Sequence, residues 1–516
     1  MKCDAGIRGA RAMILRVGLV AAAAALSGCK VGPDYKEPGD TSPDAYLESE
    51  GIERSNAVDL RVWWRTLHDE QLDTLVERAL RGNLDLREAE ARVREARELR
   101  SIAAAPLLPT VDAKAGYTRT ENSNNRGGFG GFGNSSAFNS WMLGFDATWE
   151  LDFFGRIRRD VESGDATIAA RIYDTRDVMV TVTSEVARNY VDLRTQQRRL
   201  RITQENLNTQ EQTVELVQAR FDAGLTSELD VTRARANAET TRAQLPALEA
   251  QTRRTMHALA VLLGQNPETL AAELETHKAI PYSSDGIPLG LPSELLRRRP
   301  DIRVSERELA AQVARIGVAT GDLYPKIVLN GNVGWQAEKL GEIFDASSAE
   351  NGFGPSVTWR IFDYGRISAN IRAESARAER ALVRYERTVI TALQEVEDAL
   401  ASYGRERARR EILQRAVDAG QRAVDISNDL YRNGLTDFNA VLDAQRQLFI
   451  SQDTLVQSEG LVTTNLVAVY KALGGGWDLM NVEGPPDGPV QEPAKVADES
   501  GNETLPTKQN RGAPPR

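Results

Sequence analysis

VQARFDAGLTSELDV (Val217–Val231) and SNDLYRNGLTDFNAV (Ser427–Val441) stand in different halves of a 516-residue chain, and in each an aromatic residue is followed three positions later by Gly-Leu-Thr. Gly224 and Gly434 are 210 positions apart. Upstream, TWELDFFGR and TWRIFDYGR set Trp149 against Trp359 and Gly155 against Gly365, again 210 apart. Two unrelated signatures that share one offset make the chain an internal duplication, and repetition of this kind decides a fold before any local reading does. Each half runs from a Trp/Gly-Arg signature to a Gly-Leu-Thr turn without insertion or deletion.

Between signature and turn the apolar period is seven. Val186, Leu193, Leu200, Leu207, Val214 and Phe221 are matched 210 positions on by Val396, Tyr403, Arg410, Val417, Val424 and Tyr431, apolar in all but one case. A strict heptad imposes left-handed supercoiling on neighbouring helices. No proline interrupts Arg156 to Gly224 or Arg366 to Gly434, so each stretch predicts a continuous helix roughly 100 Å long, over twice the thickness of a bilayer. The repeated tripeptide then marks the tip of a helical hairpin. Gly224 and Gly434 end the outgoing helices, and Thr226 or Ser227 and Thr436 or Asp437 cap the returning ones. A tip in water gains nothing from Leu225 and Leu435 unless a partner packs on them, so Gly224, Leu225, Thr226, Gly434, Leu435 and Thr436 read as a docking ring.

Before each signature the period is two. Trp141, Leu143, Phe145, Ala147, Trp149, Leu151 and Phe153 alternate with mostly polar or acidic residues, and Val111, Ala113, Ala115 and Tyr117 form a partner strand. Ile327, Leu329, Val333 and Trp335, then Phe353, Val357, Trp359 and Ile361, repeat the plan. Strands of this length with aromatics near their ends have the pattern of a membrane barrel with a wet interior; Trp141, Trp149, Phe153, Trp335, Phe353 and Trp359 are the expected membrane-interface aromatics. Four strands cannot close a barrel, and an open edge in lipid is prohibitive, so subunits must share one. Two copies give eight strands and a filled interior, three give twelve and room for water. Inward Asp146, Glu150 and Asp152 favour the trimer. The fold class is thus mixed α+β, a coiled-coil helical barrel plus four transmembrane strands per subunit.

The N-terminus carries Lys2, Arg8, Arg11 and Arg16, then an apolar run from Val17 to Leu26 that is too short to span a membrane. It ends in Leu26-Ser27-Gly28-Cys29, which looks like a bacterial lipobox, with Cys29 as the site of lipid attachment and the new N-terminus. A covalent lipid on Cys29 is the only prosthetic group expected. With 64 basic and 74 acidic residues the chain is mildly acidic and gives no support for a nucleic-acid partner. Residues 484–516, poor in large apolar side chains, predict a disordered tail. His68, His257 and His277 are scattered, no cluster has metal-ligand spacing, and GGFGGFG lacks the Lys-Ser/Thr of a phosphate loop, so neither a metal site nor an enzyme is expected. RRRPDIR (297–303) reads as a solvated stretch before a helix.

CKVGPDYKEP, WWRTLHDEQLDTLVERALRGNLDLREAEARV, LLRRRPDIRVSERELAA, DFFGR, VLDAQRQLF and VYKALGGGW together resemble the TolC-like outer-membrane factors, in the lipoprotein branch that serves resistance-nodulation-division efflux pumps. The resemblance runs from Cys29 to about Trp477. It implies a homotrimer with a twelve-stranded barrel in outer-membrane lipid, a helical barrel across the periplasm, and an equatorial domain. Expected partners are a periplasmic adaptor hexamer meeting six tips, and an inner-membrane transporter. The implied layout is a signal peptide (1–28), a lipid-anchored extended segment (29–60) and the helices of the first repeat (61–105). The first β-hairpin (106–154) and helical hairpin (155–264, tip near 224–227) follow, then an equatorial segment and helix (265–321). The second β-hairpin (322–364) and helical hairpin (365–475, tip near 434–437) precede a C-terminal segment and tail (476–516). In such proteins acidic residues close the tunnel beyond the tip. Asp443 in VLDAQ matches that motif, with Asp437 and Asp230 as further gate candidates. The duplicate of Asp443 is Arg233, which leaves an intersubunit tether or a solvated pair as alternatives. The implied function is a passive efflux exit duct opened at its tip by the adaptor; the alternative is a conduit for protein secretion.

Overall fold

The computed structural model describes residues 30–39, 42–49, 58–121, 137–283, 285–290 and 292–477. The chain divides into residues 1–481 and 482–516; the second unit, Cys29 and most of the first hairpin loop lie outside the described residues.

Four antiparallel strands, β1 (Thr110–Thr120), β2 (Phe138–Leu151), β3 (Lys326–Ala337) and β4 (Ala349–Thr358), pair in sequence order in one sheet. The two hairpins are therefore joined edge to edge through β2 and β3. Their register puts Phe145 opposite Ala113 and Val333, and Leu143 opposite Ala115 and Trp335, so one face is apolar across the sheet. The opposite face carries Asp112, Lys114, Asp146, Asn330, Asn332 and Ser356, with Lys114 ion-paired to Asp146. The outer edges of β1 and β4 have no partner strand among the described residues.

The helices are α1 (Glu70–Gly82), α2 (Leu84–Ala104), α3 (Arg156–Asp222), α4 (Glu228–Arg242), α5 (Leu245–Leu262), α6 (Ala271–Leu274), α7 (Pro292–Arg298), α8 (Pro300–Gly321), α9 (Arg366–Arg432) and α10 (Phe438–Ala472). α3 is the spine, packing on α2, α4, α5, α8 and α10. α3 and α9 are each 67 residues long, or about 100 Å. The return arm runs from 228 to 262 in one half and from 438 to 472 in the other, the same offset of 210 at both ends. Only the first is broken, at Ala243–Gln244, where Pro246 has no N–H to continue the ladder.

Upstream of the hairpins the offset is 216, as between Leu84 and Pro300, which start α2 and α8. The six-residue difference is taken up between paired strands, where 17 residues (121–137) separate β1 from β2 and 11 (338–348) separate β3 from β4. The duplication thus reaches further towards the N-terminus than its two signatures reveal.

Two strand ends depart from the alternation pattern. β2 stops at Leu151 and β4 at Thr358, so Phe153, Trp359 and Ile361 lie beyond the strands. Helix capping is the reason. The Asp152 carboxylate accepts from the Ile157 and Arg158 amides (3.1 and 2.9 Å), and that of Asp363 from the Gly365 and Ile367 amides (3.0 and 2.9 Å). Each aspartate turns the chain into a long helix whose own side chain at the cap, Gly155 or Gly365, is absent; both glycines take positive φ (75° and 79°).

Buried side chains concentrate midway along the helices. Trp63 stacks on Tyr470 at 5.1 Å, and Leu72, Leu75, Val186 and Leu193 are fully enclosed. The heptad seam is buried at Val186, Leu193, Leu207, Val396, Tyr403 and Val424, and fades at Phe221, which is exposed.

Candidate functional site

Both Gly-Leu-Thr turns have the same backbone. Gly224 and Gly434 take φ of 73° and 72°. The Leu225 amide donates to Arg220 O and that of Gly224 to Phe221 O (both 2.8 Å); the Leu435 amide donates to Leu430 O (2.9 Å) and that of Gly434 to Tyr431 O (3.0 Å). This is a Schellman termination, which satisfies carbonyls left over at a helix end. The leucine after each glycine points away from the helix it closes: Leu225 is 66 % and Leu435 72 % exposed. Leu229, one turn on, is exposed as well.

The returning helices start on side-chain caps, and of the two alternatives at each tip Ser227 and Asp437 serve. The Ser227 hydroxyl accepts from the Asp230 amide (3.4 Å), and the Asp437 carboxylate accepts from the Ala440 amide (3.1 Å). Asp230 also accepts from the hydroxyls of Thr226 (2.6 Å) and Ser227 (3.1 Å). Burial pushes the Asp230 carboxyl up, but those hydroxyl bonds, with the charge of Arg233, outweigh it and hold the group below the ordinary aspartate value.

Behind the turns the two hairpins share a small core of Val217, Val231, Ala234, Tyr431, Phe438, Val441 and Leu442. Arg220 ties them together from above: its Nη1 donates to Tyr431 O (3.3 Å) and Arg432 O (3.2 Å), and its guanidinium lies 4.7 Å from the Tyr431 ring centroid. A cation there neutralises the negative end of α9. Two further bonds cross between α4 and α10, from Arg233 to Asn439 (2.8 Å) and from Arg446 to Asn237 (2.9 Å). Within one chain Arg233 is therefore committed to Asn439, and no ion pair joins it to Asp443 among the described residues. Asp443 is exposed on α10 one turn beyond Asn439.

At the sheet, Trp149 and Trp359 do equivalent work, their indole N–H groups donating to Leu107 O (2.9 Å) and Leu323 O (3.0 Å), each carbonyl three residues before a strand. Trp141 packs on Tyr117 at 4.5 Å and Trp335 on Phe344 at 5.9 Å. Phe353 is exposed on the apolar face, and Phe153 sits in the turn after β2.

Sequence reading missed three arginines. Arg220 had one signal, its duplicate being Leu430. Arg299 does not lie in a solvated stretch: its side chain is 9 % exposed and pairs with Asp301 (2.7 Å) and Glu395 (2.6 Å) while donating to Ala472 O (3.0 Å). Its partners come from α8, α9 and α10, which no local pattern brings together. Arg159 is likewise enclosed. Among the described residues no group of three or more His, Cys, Asp or Glu is placed to hold a metal ion.

The family described as outer membrane efflux protein matches residues 75–265 and 291–475, two spans whose starts are 216 and ends 210 apart, as the repeated frame requires. The pyoverdine export outer membrane protein OpmQ of Pseudomonas aeruginosa is 33 % identical over 89 % of this chain and 97 % of its own. The cation efflux system protein CusC of Escherichia coli is 31 % identical over 88 % and 97 %. Among solved structures, the outer-membrane channel OprN superposes with a TM-score of 0.82 at 38 % identity, over 87 % of this chain and all of that one.

Proposed function

The chain belongs to the outer membrane efflux protein family, and from that premise we propose how this outer-membrane exit duct is assembled and opened. Three copies close one twelve-stranded barrel. Support comes from the two sheet edges that have no partner strand among the described residues, flanked by exposed Ile102, Leu108 and Val111 on the β1 side and Val357, Ile361 and Phe362 on the β4 side. Such edges are prohibitive in lipid unless another copy covers them. The apolar face meets lipid and the polar face lines water.

Cys29 carries the lipid anchor. A periplasmic adaptor docks on Gly224-Leu225-Thr226 and Gly434-Leu435-Thr436, and through it the duct joins an inner-membrane transporter of the resistance-nodulation-division class. The carboxylates of Asp443 close the tunnel at that end. Transport is passive and no catalytic step is assigned to the chain. Relatives are named for export of pyoverdine, cations and solvents, all small cargoes, so small molecules or ions are the cargo class proposed here.

The single observation that carries this reading is a matched pair of exposed leucine tips at the end of two 67-residue helices, opposite a four-stranded sheet with open edges. Native mass spectrometry of the detergent-solubilised protein tests it. A trimer whose subunits begin at an acylated Cys29 is the expected result; a lipid-free soluble monomer would overturn it.

A further inference from the structure

The segment that follows the lipobox lies in a groove built from two buried charged side chains. Arg159 on α3 is 1 % exposed and spends its guanidinium largely on that segment. Its Nε donates to Val31 O (3.0 Å), and its Nη2 to Gly32 O (3.3 Å) and the Asp34 carboxylate (2.7 Å), while its Nη1 reaches Glu162 on the next turn (3.1 Å). On α8, Glu306 is 2 % exposed and accepts from the Tyr35 hydroxyl (2.8 Å). Lys30 pairs with Glu162 (3.2 Å), and the Val31 amide donates to Phe154 O (3.2 Å), at the foot of β2.

Two glycines make room for this contact. Gly32 has φ of +88°, and a Cβ on it would stand 2.5 Å from the Gly317 Cα; a Cβ on Gly317 would stand 2.8 Å from the Arg159 Cδ. The Gly317 backbone cannot yield to a side chain on Gly32, and a side chain on Gly317 would have to displace the enclosed Arg159 arm from the segment it holds. The duplication is broken at these places. The counterpart of Arg159 at the 210 offset is Ala369, and that of Gly317 at the 216 offset is Ser101. The groove thus takes its arginine from the first repeat and its glycine from the second, and neither residue has a like counterpart in the other repeat.

We propose that Arg159, Gly317 and Glu306 are a docking groove for residues 30–37 that holds the anchor residue at the foot of the sheet, so that the lipid is a fixed part of the duct instead of a tether. This rests on the acylation of Cys29 proposed above: Lys30 is the next residue along the chain, and it and Val31 are held to Glu162, Phe154 and Arg159.

The test is native trypsin digestion of the purified full-length trimer in detergent, following release of the N-terminal peptide cut after Lys30 or Lys36 by mass spectrometry. Proteolysis of a folded segment tracks how often it opens. Arg159→Ala, Gly317→Val and the strap-side double variant Asp34→Ala/Tyr35→Phe, which leaves α3 and α8 untouched, should each release the peptide at least about tenfold faster than the parent. Arg159→Lys should be intermediate, since an ammonium cannot replace the fork. The trimer proposed above should persist in the strap-side variant by native mass spectrometry, which a merely structural loss would not allow. Equal release in the parent and the strap-side variant overturns the proposal. The peptide's mass separates the two readings: a protected segment without lipid rejects acylation and keeps the groove, whereas an acylated but unprotected segment rejects the groove.

Discussion

Asp443, Asp437 and Asp230 lie within two helical turns of one another in the duplicated frame, yet their surroundings divide their roles. Asp437 and Asp230 are spent on starting helices, whereas Asp443 is exposed and makes no hydrogen bond or ion pair within the chain among the described residues. Asp443→Ala is therefore expected to raise single-channel conductance in planar bilayers, with no loss of thermal stability. Asp437→Ala should cost about 1 kcal/mol by removing a cap, read as a lower melting temperature. A further prediction concerns Asp177 on α3, whose carboxyl is pushed up to about 6 by burial and by Asp301, against the pull of Arg299 and Lys471. The folded state then binds this proton more tightly than the unfolded chain, so its contribution is full below about pH 4 and is lost as pH rises through 6. Asp177→Asn should raise the melting temperature at pH 7.5, and the gain should shrink towards pH 4.5. A constant gain would mean that Asp177 does not titrate there. The caps were legible in the sequence because a cap and its amide are three residues apart. Arg299 and Arg159 were not, because their partners, Glu395, Ala472, Val31 and Gly32, are remote along the chain.

At the level of elements, the periods of two and seven located the strands and long helices, since each period follows from local geometry alone. The pairing of β2 with β3 was not legible: it joins residues such as Phe145 and Val333, and only tertiary packing sets that register. Within each tip, glycine and leucine have separable jobs. A Cβ on Gly434 would meet nothing within 4 Å, so Gly434→Ala should cost only the backbone strain of positive φ, about 1–2 kcal/mol, read as a lower melting temperature. Leu225→Ser and Leu435→Ser should leave the melting temperature unchanged and weaken capture of the adaptor. Equal capture by the leucine variants would overturn the proposed docking on Leu225 and Leu435.

For the whole molecule, the two faces of the sheet predict opposite outcomes for the same substitution. Phe353 stands at the middle of β4 and not at its end, where an interface aromatic was expected, so Phe353→Arg on the apolar face should destabilise the assembled barrel by about 2–4 kcal/mol, seen as loss of the trimer in native mass spectrometry. Gly354→Arg, on the polar face with open space around its Cα, should leave the trimer intact and reduce conductance. If both variants lose the trimer, the polar face is packed and not wet. The duplicated frame holds an offset of 216 before the connections between paired strands and 210 after them, and changes only there, 17 residues against 11. In the proposed trimer the periplasmic end thus presents six closely alike tips, while the opposite rim alternates three long connections with three short ones. A partner arriving from inside meets a valency of six, and any ligand arriving from outside can count only to three.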